Sequence, residues 1–221
     1  MAGFPSREDI VQKLYSAVLS DTLDGLGFMN QAMKPFVRPL DESIVMFGRA
    51  RTGLYMDSYV EPRDRNPYAV EIALVDDLQP ADVAVLGCRG PTDRIAPWGE
   101  LLSTAAMCRK AAGCVTDGLV RDINRIREMG FPVFHGGIGP LDSKGRGEMK
   151  EMDTPIDCAG VRVASGDYIL GDCDGVVVLP AEVAEEALRK ALEKVTAEDR
   201  TRQELLQGRW LKEVYDTYGV L

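Results

Sequence analysis

Residues 113–122 read GCVTDGLVRD and residues 123–134 continue INRIREMGFPVF. Residues 114–117 have the apolar character of a short strand, and Gly118 opens a turn over 118–121. A helix is expected over 122–129, with Ile123, Ile126 and Met129 on one side. Gly130 stops it, and 131–134 reads as the next strand. The same rhythm lies just upstream. Residues 83–86 (VAVL) read as a buried strand, 87–99 as a Gly- and Pro-rich loop, and 100–112 as a helix with Leu101, Ala105, Cys108 and Ala112 on one face. Strand, loop and helix in alternation are the unit from which α/β folds are built.

Outward from this centre the pattern weakens. Residues 6–29 read as one or two amphipathic helices, with Ser6 and Asp9 in a capping arrangement and Gly25 and Gly27 as breaks. Residues 44–52 read as a strand, 61–66 as a polar loop and 69–78 as a helix. Residues 136–154 are Gly-rich and charged and read as a loop. Strands are expected over 161–163, 168–170 and 176–179, with hairpin signals at Gly166-Asp167 and Asp174-Gly175. Residues 181–207 read as a long charged helix whose narrow apolar face is Ala184, Leu188, Ala191 and Val195. The tail from 209 to 221 carries Trp210, Leu211, Val214 and Tyr218, a pattern suited to docking, for example onto a neighbouring subunit.

The chain has 221 residues, 45% hydrophobic and 28% charged, enough for a substantial core in one domain. Its formal net charge of -9 argues against a general nucleic-acid binder, which needs clustered Lys and Arg. A local Arg can still attract an anionic substrate. The 5 Cys form no C-x-x-C pair, so neither a disulfide framework nor a zinc site is expected, and most should be small buried side chains. A reducing cytoplasm suits that usage. No secretory leader or membrane-length apolar run is read, so no membrane partner is expected.

The chemistry gathers in two places. WGELL (98–102) and DGLVRD (117–122) each mark a loop entering a helix, where free backbone N–H groups favour an anion such as a carboxylate. Arg121 adds a planar cation for a carboxylate or an enolate oxygen. Asp122 adds a hard oxygen donor suited to Mg²⁺ or Mn²⁺, and Glu100 a second carboxylate. Capping alone also accounts for acidic residues at helix starts, and Arg121 could simply pair with Asp117 or Glu100.

GCVTDGLVRD, with WGELLSTAA before it, FPVF after it and GDYILGDCDGVVVLP (166–180) further on, resembles the family shared by two groups. One comprises the 4-hydroxy-4-methyl-2-oxoglutarate / 4-carboxy-4-hydroxy-2-oxoadipate aldolases, the other the regulator of ribonuclease activity A. The likeness runs from about residue 16 into the C-terminal helix and is most specific over 98–134. The aldolases carry an acidic residue, twenty intervening residues, then Arg-Asp; here Glu100 is followed by residues 101–120 and then Arg121-Asp122. The regulators typically lack that pattern. Glu100 departs from the aldolases' Asp by one methylene.

The resemblance implies a mixed-sheet, swivelling-type α/β sandwich, formed as one domain over 1–221. It also implies a homotrimer or homohexamer, with the helical region from about 181 onward packed on a neighbouring subunit. It further implies a metal-dependent pyruvate aldolase that also decarboxylates oxaloacetate, acting on a 2-keto acid with Mg²⁺ or Mn²⁺. In that scheme Asp122 anchors the metal. Gly99, Leu101 and Leu102 bind the substrate carboxylate through backbone groups. Arg121 stabilises the enolate oxygen, and Glu100 handles a water that takes the C4-hydroxyl proton. A Glu from the neighbouring subunit's C-terminal helix corresponds to Glu198 here, with Glu193 and Glu204 on the same helix. The family's other branch implies the alternative, a non-catalytic regulator of a ribonuclease. Substrate selection is expected from 53–66 and 87–98.

Several residues invite other readings. His135 is the only histidine, which excludes a multi-His metal site and offers only a neutral-range pKa as a motive. Lys144 and Lys150 could in principle form a Schiff base. The glycines of 136–139 lack the Lys-Ser/Thr of a phosphate loop, and no nucleotide-binding loop of the kind a methyltransferase needs follows an early strand. Asp172 and Asp174 read as hairpin-shaping residues. Trp98 is either core or packed beside the substrate.

Overall fold

The computed structural model describes residues 4–62 and 64–219. Residues 1–3, 63 and 220–221, which touch the readings of the N-terminus, the 61–66 loop and the C-terminal tail, lie outside the described residues. The N-terminal stretch forms two helices, α1 (Arg7–Lys13) and α2 (Ser16–Gly25). As expected, the Ser6 hydroxyl accepts from the Asp9 backbone N–H at the start of α1. The first strands are β1 (Arg38–Pro39) and the long β2 (Met46–Asp57). Three crossover units follow: α3 (Ala69–Asp76) to β3 (Asp82–Gly87), α4 (Glu100–Cys108) to β4 (Gly113–Val120), and α5 (Ile123–Met129) to β5 (Val133–Ile138). The second half contains β6 (Gly147–Met152), β7 (Ile156–Cys158), β8 (Val161–Val163), β9 (Tyr168–Gly171) and β10 (Val176–Leu179). A 3-10 turn, α6 (Ala184–Leu206) and α7 (Leu211–Tyr218) complete it.

Strands β2, β3, β4 and β5 pair in parallel, as the helical crossovers between them require. They form the centre of an eight-stranded mixed sheet ordered β1-β5-β4-β3-β2-β9-β10, with β6 also on β2. The length of β2 closes much of this sheet. Its first half pairs with β9 and its second half with β6, across an irregularity at Leu54/Tyr55. The result is a mixed, nearly closed sheet in an α/β fold.

Both faces of the parallel core are covered, so β3 and β4 at its centre are buried almost throughout. Alternation still sorts the side chains. Val83 and Val85 face a cluster with Val115, Phe134, Ile156, Val161 and Val178. Ala84 and Leu86 face the opposite cluster, with Leu74 and Val75 of α3, Ala106 of α4 and Ile126 of α5. A third cluster joins α1, α2 and the Ala184, Leu188 and Ala191 face of α6 to Phe47, Leu170 and Leu179. At about 1.5–3 kcal/mol for each large buried side chain, these clusters outweigh the weak helical propensity of short elements such as α5.

Several expectations are corrected. Residues 118–120 do not turn; they extend β4, because Leu119 and Val120 pair with Gly137 and Ile138. Residues 136–154 are not one loop. Gly136 and Gly137 belong to β5, and β6 supplies the partner for the second half of β2. A Cβ on Gly136 would stand 2.3 Å from the Asp117 carbonyl oxygen, so the close approach of β4 and β5 requires glycine. The helix expected over 100–112 ends at Cys108, with Lys110 in the left-handed region at φ 60. Gly166-Asp167 is a crossing between sheets rather than a hairpin, since β8 pairs with β7 while β9 pairs with β10 and β2.

The other hairpin forms. Asp172 and Gly175 exchange backbone hydrogen bonds. The Asp172 carboxylate takes the N–H groups of Asp174 and Gly175 and also the N–H and hydroxyl of Ser16 at the start of α2. All five cysteines are free; Cys88, Cys114 and Cys158 are buried, whereas Cys108 and Cys173 are exposed. No helix among the described residues is long and apolar enough to cross a membrane.

Candidate active site

The site lies where the loop after β3 and the end of β4 meet, at the carboxyl ends of parallel strands, where open α/β sheets bind ligands. Two backbone contacts join the segments. Trp98 bridges Val120 in parallel, and the Arg121 N–H donates to the Trp98 carbonyl at 3.1 Å. The Trp98 indole is buried and its N–H donates to the Ser103 hydroxyl at 2.8 Å, anchoring the loop on the first turn of α4. Trp98 is thus a core residue that also walls the cavity.

Asp117 does not join this site. Its buried carboxylate accepts backbone N–H groups from Cys88, Gly90 and Ala159, tying the β3–α4 loop and the β7–β8 turn to β4. Burial pushes this carboxyl above its usual range in spite of those three donors.

Asp122 precedes α5 in the left-handed conformation, φ 59, and its side chain makes no capping bond to that helix. A non-glycine residue there costs on the order of 1 kcal/mol. The conformation turns the carboxylate across to the other segment, where Oδ2 lies 3.3 Å from the Glu100 backbone N. Oδ1 has no protein partner among the described residues. Capping of its own helix therefore does not explain Asp122. Gly99 makes the approach possible: a Cβ there would stand 2.8 Å from Asp122 Oδ2 and 3.2 Å from Arg121 Cγ.

Arg121 pairs with neither Asp117 nor Glu100. Its Nε is 3.7 Å from Asp122 Oδ2 and its Nη1 is 3.7 Å from Asp142 Oδ1. Both are ion-pair contacts beyond hydrogen-bonding range, so no hydrogen bond to a protein group among the described residues occupies the guanidinium. At the start of α4, the backbone N–H groups of Leu101 and Leu102 have no partner among the described residues, and the ladder begins with Ser103 N to Gly99 O. The Glu100 carboxylate accepts from the Thr104 hydroxyl at 3.0 Å.

These groups surround a cavity of about 290 Å³, lined by Trp98, Gly99, Glu100, Leu101, Leu102, Arg121 and Asp122 together with Tyr68, Glu71, Asp142 and Ser143. The last four were not singled out in the sequence. Tyr68 donates to Asp142 at 2.7 Å, and burial with that hydrogen bond pushes its hydroxyl up to about 12. Burial opposes ionisation of Asp142, but the bonds from Tyr68 and Lys144 N and the nearby Arg121 hold it below the usual range. Glu71 is buried and accepts a hydrogen bond from the Tyr55 hydroxyl. Burial first, with Asp142 adding to it, pushes Glu71 up to about 7 against the opposing pulls of Tyr55 and Arg121. A carboxylate on the Leu74 and Val75 face of α3 was the available sequence signal; Asp142, in a Gly-rich segment, carried none.

Other candidates stand apart from this cavity. Glu198 on α6 accepts a hydrogen bond from Tyr15 and does not line it. His135, on β5 opposite Arg38 of β1, has a buried Nδ1 without a partner among the described residues and also lies outside it. Lys144 pairs with Glu61 and Lys150 with Glu148. A larger cavity, about 600 Å³, opens at the other end of the sheet around Arg49, Arg51 and Ala81, but Arg51 is neutralised there by Asp77 and Asp153. Among the described residues no group of three His, Cys, Asp or Glu side chains is arranged to hold a metal.

Comparison with known proteins identifies the family. Residues 16–178 match the family model described as RraA-like: Aldolase/RraA. The chain is 35% identical over 185 residues to a Halalkalibacterium halodurans protein named "Putative 4-hydroxy-4-methyl-2-oxoglutarate aldolase", covering 84% of this chain and 81% of that one. It is 29% identical over 205 residues to Protein DlpA of Legionella pneumophila, covering 92% of this chain but only 32% of that protein. Among solved structures, Streptomyces coelicolor RraAS2, described as an unusual member of the RNase ES inhibitor RraA protein family, superposes with a TM-score of 0.77 at 26% identity, covering 91% of this chain and 99% of that one. The fold, the paired loop-to-helix segments and the span of the match together place this chain in the Aldolase/RraA family.

Proposed function

We propose that this chain is a divalent-metal-dependent lyase that cleaves 4-hydroxy-2-oxo diacids by a retro-aldol reaction into pyruvate and a second keto acid. Oxaloacetate decarboxylation would share its pyruvate enolate. The observation that carries this reading is the set of unsatisfied groups around one cavity: the Arg121 guanidinium, the N–H groups of Leu101 and Leu102, and Asp122 Oδ1. Together they match a 2-keto acid, whose carboxylate needs N–H donors and whose keto oxygen gains negative charge during cleavage.

The donor set suits a hard cation only in part, and in a telling way. One free carboxylate oxygen without a protein cage is what a Mg²⁺ or Mn²⁺ site needs when water and substrate oxygens fill the remaining positions. Held through Asp122, directly or by way of water, such an ion would supply Lewis-acid polarisation of the keto group. The protein's own residues would do the rest. Leu101 and Leu102 would hold the C1 carboxylate, with Gly99 allowing the close approach. Arg121 would stabilise the enolate oxygen as the C3–C4 bond breaks. Glu100 would orient a water that accepts the C4-hydroxyl proton.

Assembly would complete the site. Glu198, tethered by Tyr15 in its own chain, would meet the cavity of a neighbouring subunit in a homotrimer or a hexamer of two trimers. Leu206, Trp210, Leu211 and Tyr215 are exposed around α7, an apolar surface that subunit packing would cover.

Purified protein incubated with Mg²⁺ or Mn²⁺ and either 4-hydroxy-4-methyl-2-oxoglutarate or oxaloacetate tests the reading. Pyruvate release, coupled to lactate dehydrogenase and abolished by chelation, is expected; no metal-dependent release from either substrate would overturn it. The likeness to RraAS2 favours a second reading, a protein that binds and restrains a ribonuclease. That reading predicts ribonuclease inhibition that survives Arg121→Ala.

A further inference from the structure

Among the described residues, Glu71 is the one buried carboxylate in the cavity wall that the proposed reaction leaves without a task. It lies on α3, 8% exposed, on the helix face whose Leu74 and Val75 pack into the core. A buried carboxylate that serves only structure usually meets a cation or several N–H groups. Glu71 meets neither among the described residues. Its Oε2 takes the hydroxyl of Tyr55, which is itself fully buried on β2, and its Oε1 has no protein partner among the described residues. The residue shares the cavity with Arg121, Leu102 and Ser143.

We infer that Glu71 is the acid that protonates C3 of the pyruvate enolate, and the base that removes that proton in the reverse direction. The inference rests on the lyase reading above. In the cleavage direction the C4 hydroxyl loses its proton, the C3–C4 bond breaks, and its electron pair becomes the C2–C3 double bond of the enolate. That electron pair then returns to C3, which takes the proton of the Glu71 carboxyl to give the methyl group. Glu71 is left ionised and regains a proton from solvent. Decarboxylation of oxaloacetate ends with the same step. Proton donation at neutral pH requires a carboxyl that keeps its proton there, and burial pushes Glu71 up to about 7. The groups facing it are Tyr55 from β2, Asp142 from the segment between β5 and β6, and Arg121 from the end of β4. On the packed elements, Glu148 of β6 is neutralised by Arg65 and Lys150, and Glu100 of α4 is bonded to Thr104.

The test is hydrogen exchange at the pyruvate methyl group, followed by NMR in D2O with the whole protein and Mg²⁺ or Mn²⁺. The wild type should catalyse exchange with a pH limb near neutrality. Glu71→Gln should slow it about 100-fold and remove the limb, while pyruvate affinity, measured by calorimetry, stays unchanged. Tyr55→Phe removes a hydrogen bond that favours the ionised carboxylate, so it should move the limb upward. Exchange by Glu71→Gln at the wild-type rate, or a limb unmoved in Tyr55→Phe, would overturn the assignment while leaving the lyase reading intact. Absence of metal-dependent exchange and of pyruvate release in the wild type would overturn both.

Discussion

Asp122 Oδ2 lies 3.3 Å from the backbone N of Glu100, so the residue that precedes one helix satisfies the first N–H of another. The contact joins the two loop-to-helix segments and leaves Oδ1 without a protein partner among the described residues. It also explains why Gly99 stands between them.

Gly99→Ala places a methyl group 2.8 Å from Asp122 Oδ2 and 3.2 Å from Arg121 Cγ. The backbone at Gly99 is extended, φ -154, so alanine meets crowding there rather than backbone strain. Displacement of the carboxylate and guanidinium by about 1 Å should cost on the order of 100-fold in kcat/KM. Thermal unfolding should change by only a few degrees. Steady-state kinetics with calorimetry on the same preparation checks both.

Asp172→Ala should behave in the opposite way. The carboxylate takes Ser16 N at 2.6 Å and the Ser16 hydroxyl at 2.7 Å, and also holds the β9–β10 turn. Its loss leaves buried donors unmatched, a cost of about 2–4 kcal/mol. Urea unfolding should show that loss, while kcat per folded molecule stays at the wild-type value.

Stability should fall with rising pH because of Glu71. Its carboxyl is raised from an ordinary value of 4.5 to about 7, so the folded state holds the proton more tightly than the unfolded chain. The contribution is fully present below the unfolded value and is lost as pH climbs through about 7. It amounts to roughly 3 kcal/mol across that window. Glu71→Gln abolishes this slope, so the unfolding free energies of variant and wild type should diverge between pH 5 and pH 8 in favour of the variant. Parallel denaturant titrations at the two pH values would reveal it.

The surface around α7 should govern assembly. Replacing exposed Trp210 and Leu206 with Asp is expected to shift the protein toward monomer in sedimentation velocity, with loss of activity if a neighbour's Glu198 completes the site. An unchanged sedimentation coefficient would place the subunit interface elsewhere.

The parallel core was legible because its alternation of buried strand and short helix is local: 83–86 and the helix beginning at Glu100 stand close to where sequence reading puts them. The extension of β4 through Gly118 was not legible, since it depends on pairing with Gly137 and Ile138, more than fifteen residues away. The same applies to β6, whose polar sequence GEMKEM becomes a strand only because the far half of β2 lacks a partner on that side. In the site, Glu100, Arg121 and Asp122 were visible as charged residues at helix entries. Tyr68, Glu71 and Asp142 reach the cavity through tertiary packing, which spacing along the chain does not encode.

The most direct test compares wild type, Arg121→Ala and Asp122→Asn for pyruvate release from oxaloacetate and 4-hydroxy-4-methyl-2-oxoglutarate across a Mn²⁺ titration. The account predicts that Arg121→Ala loses at least about 100-fold in kcat while still responding to metal, as expected for removal of a donor to developing charge. It predicts that Asp122→Asn requires far more metal to reach any activity. Full, metal-saturable turnover in both variants would contradict the account.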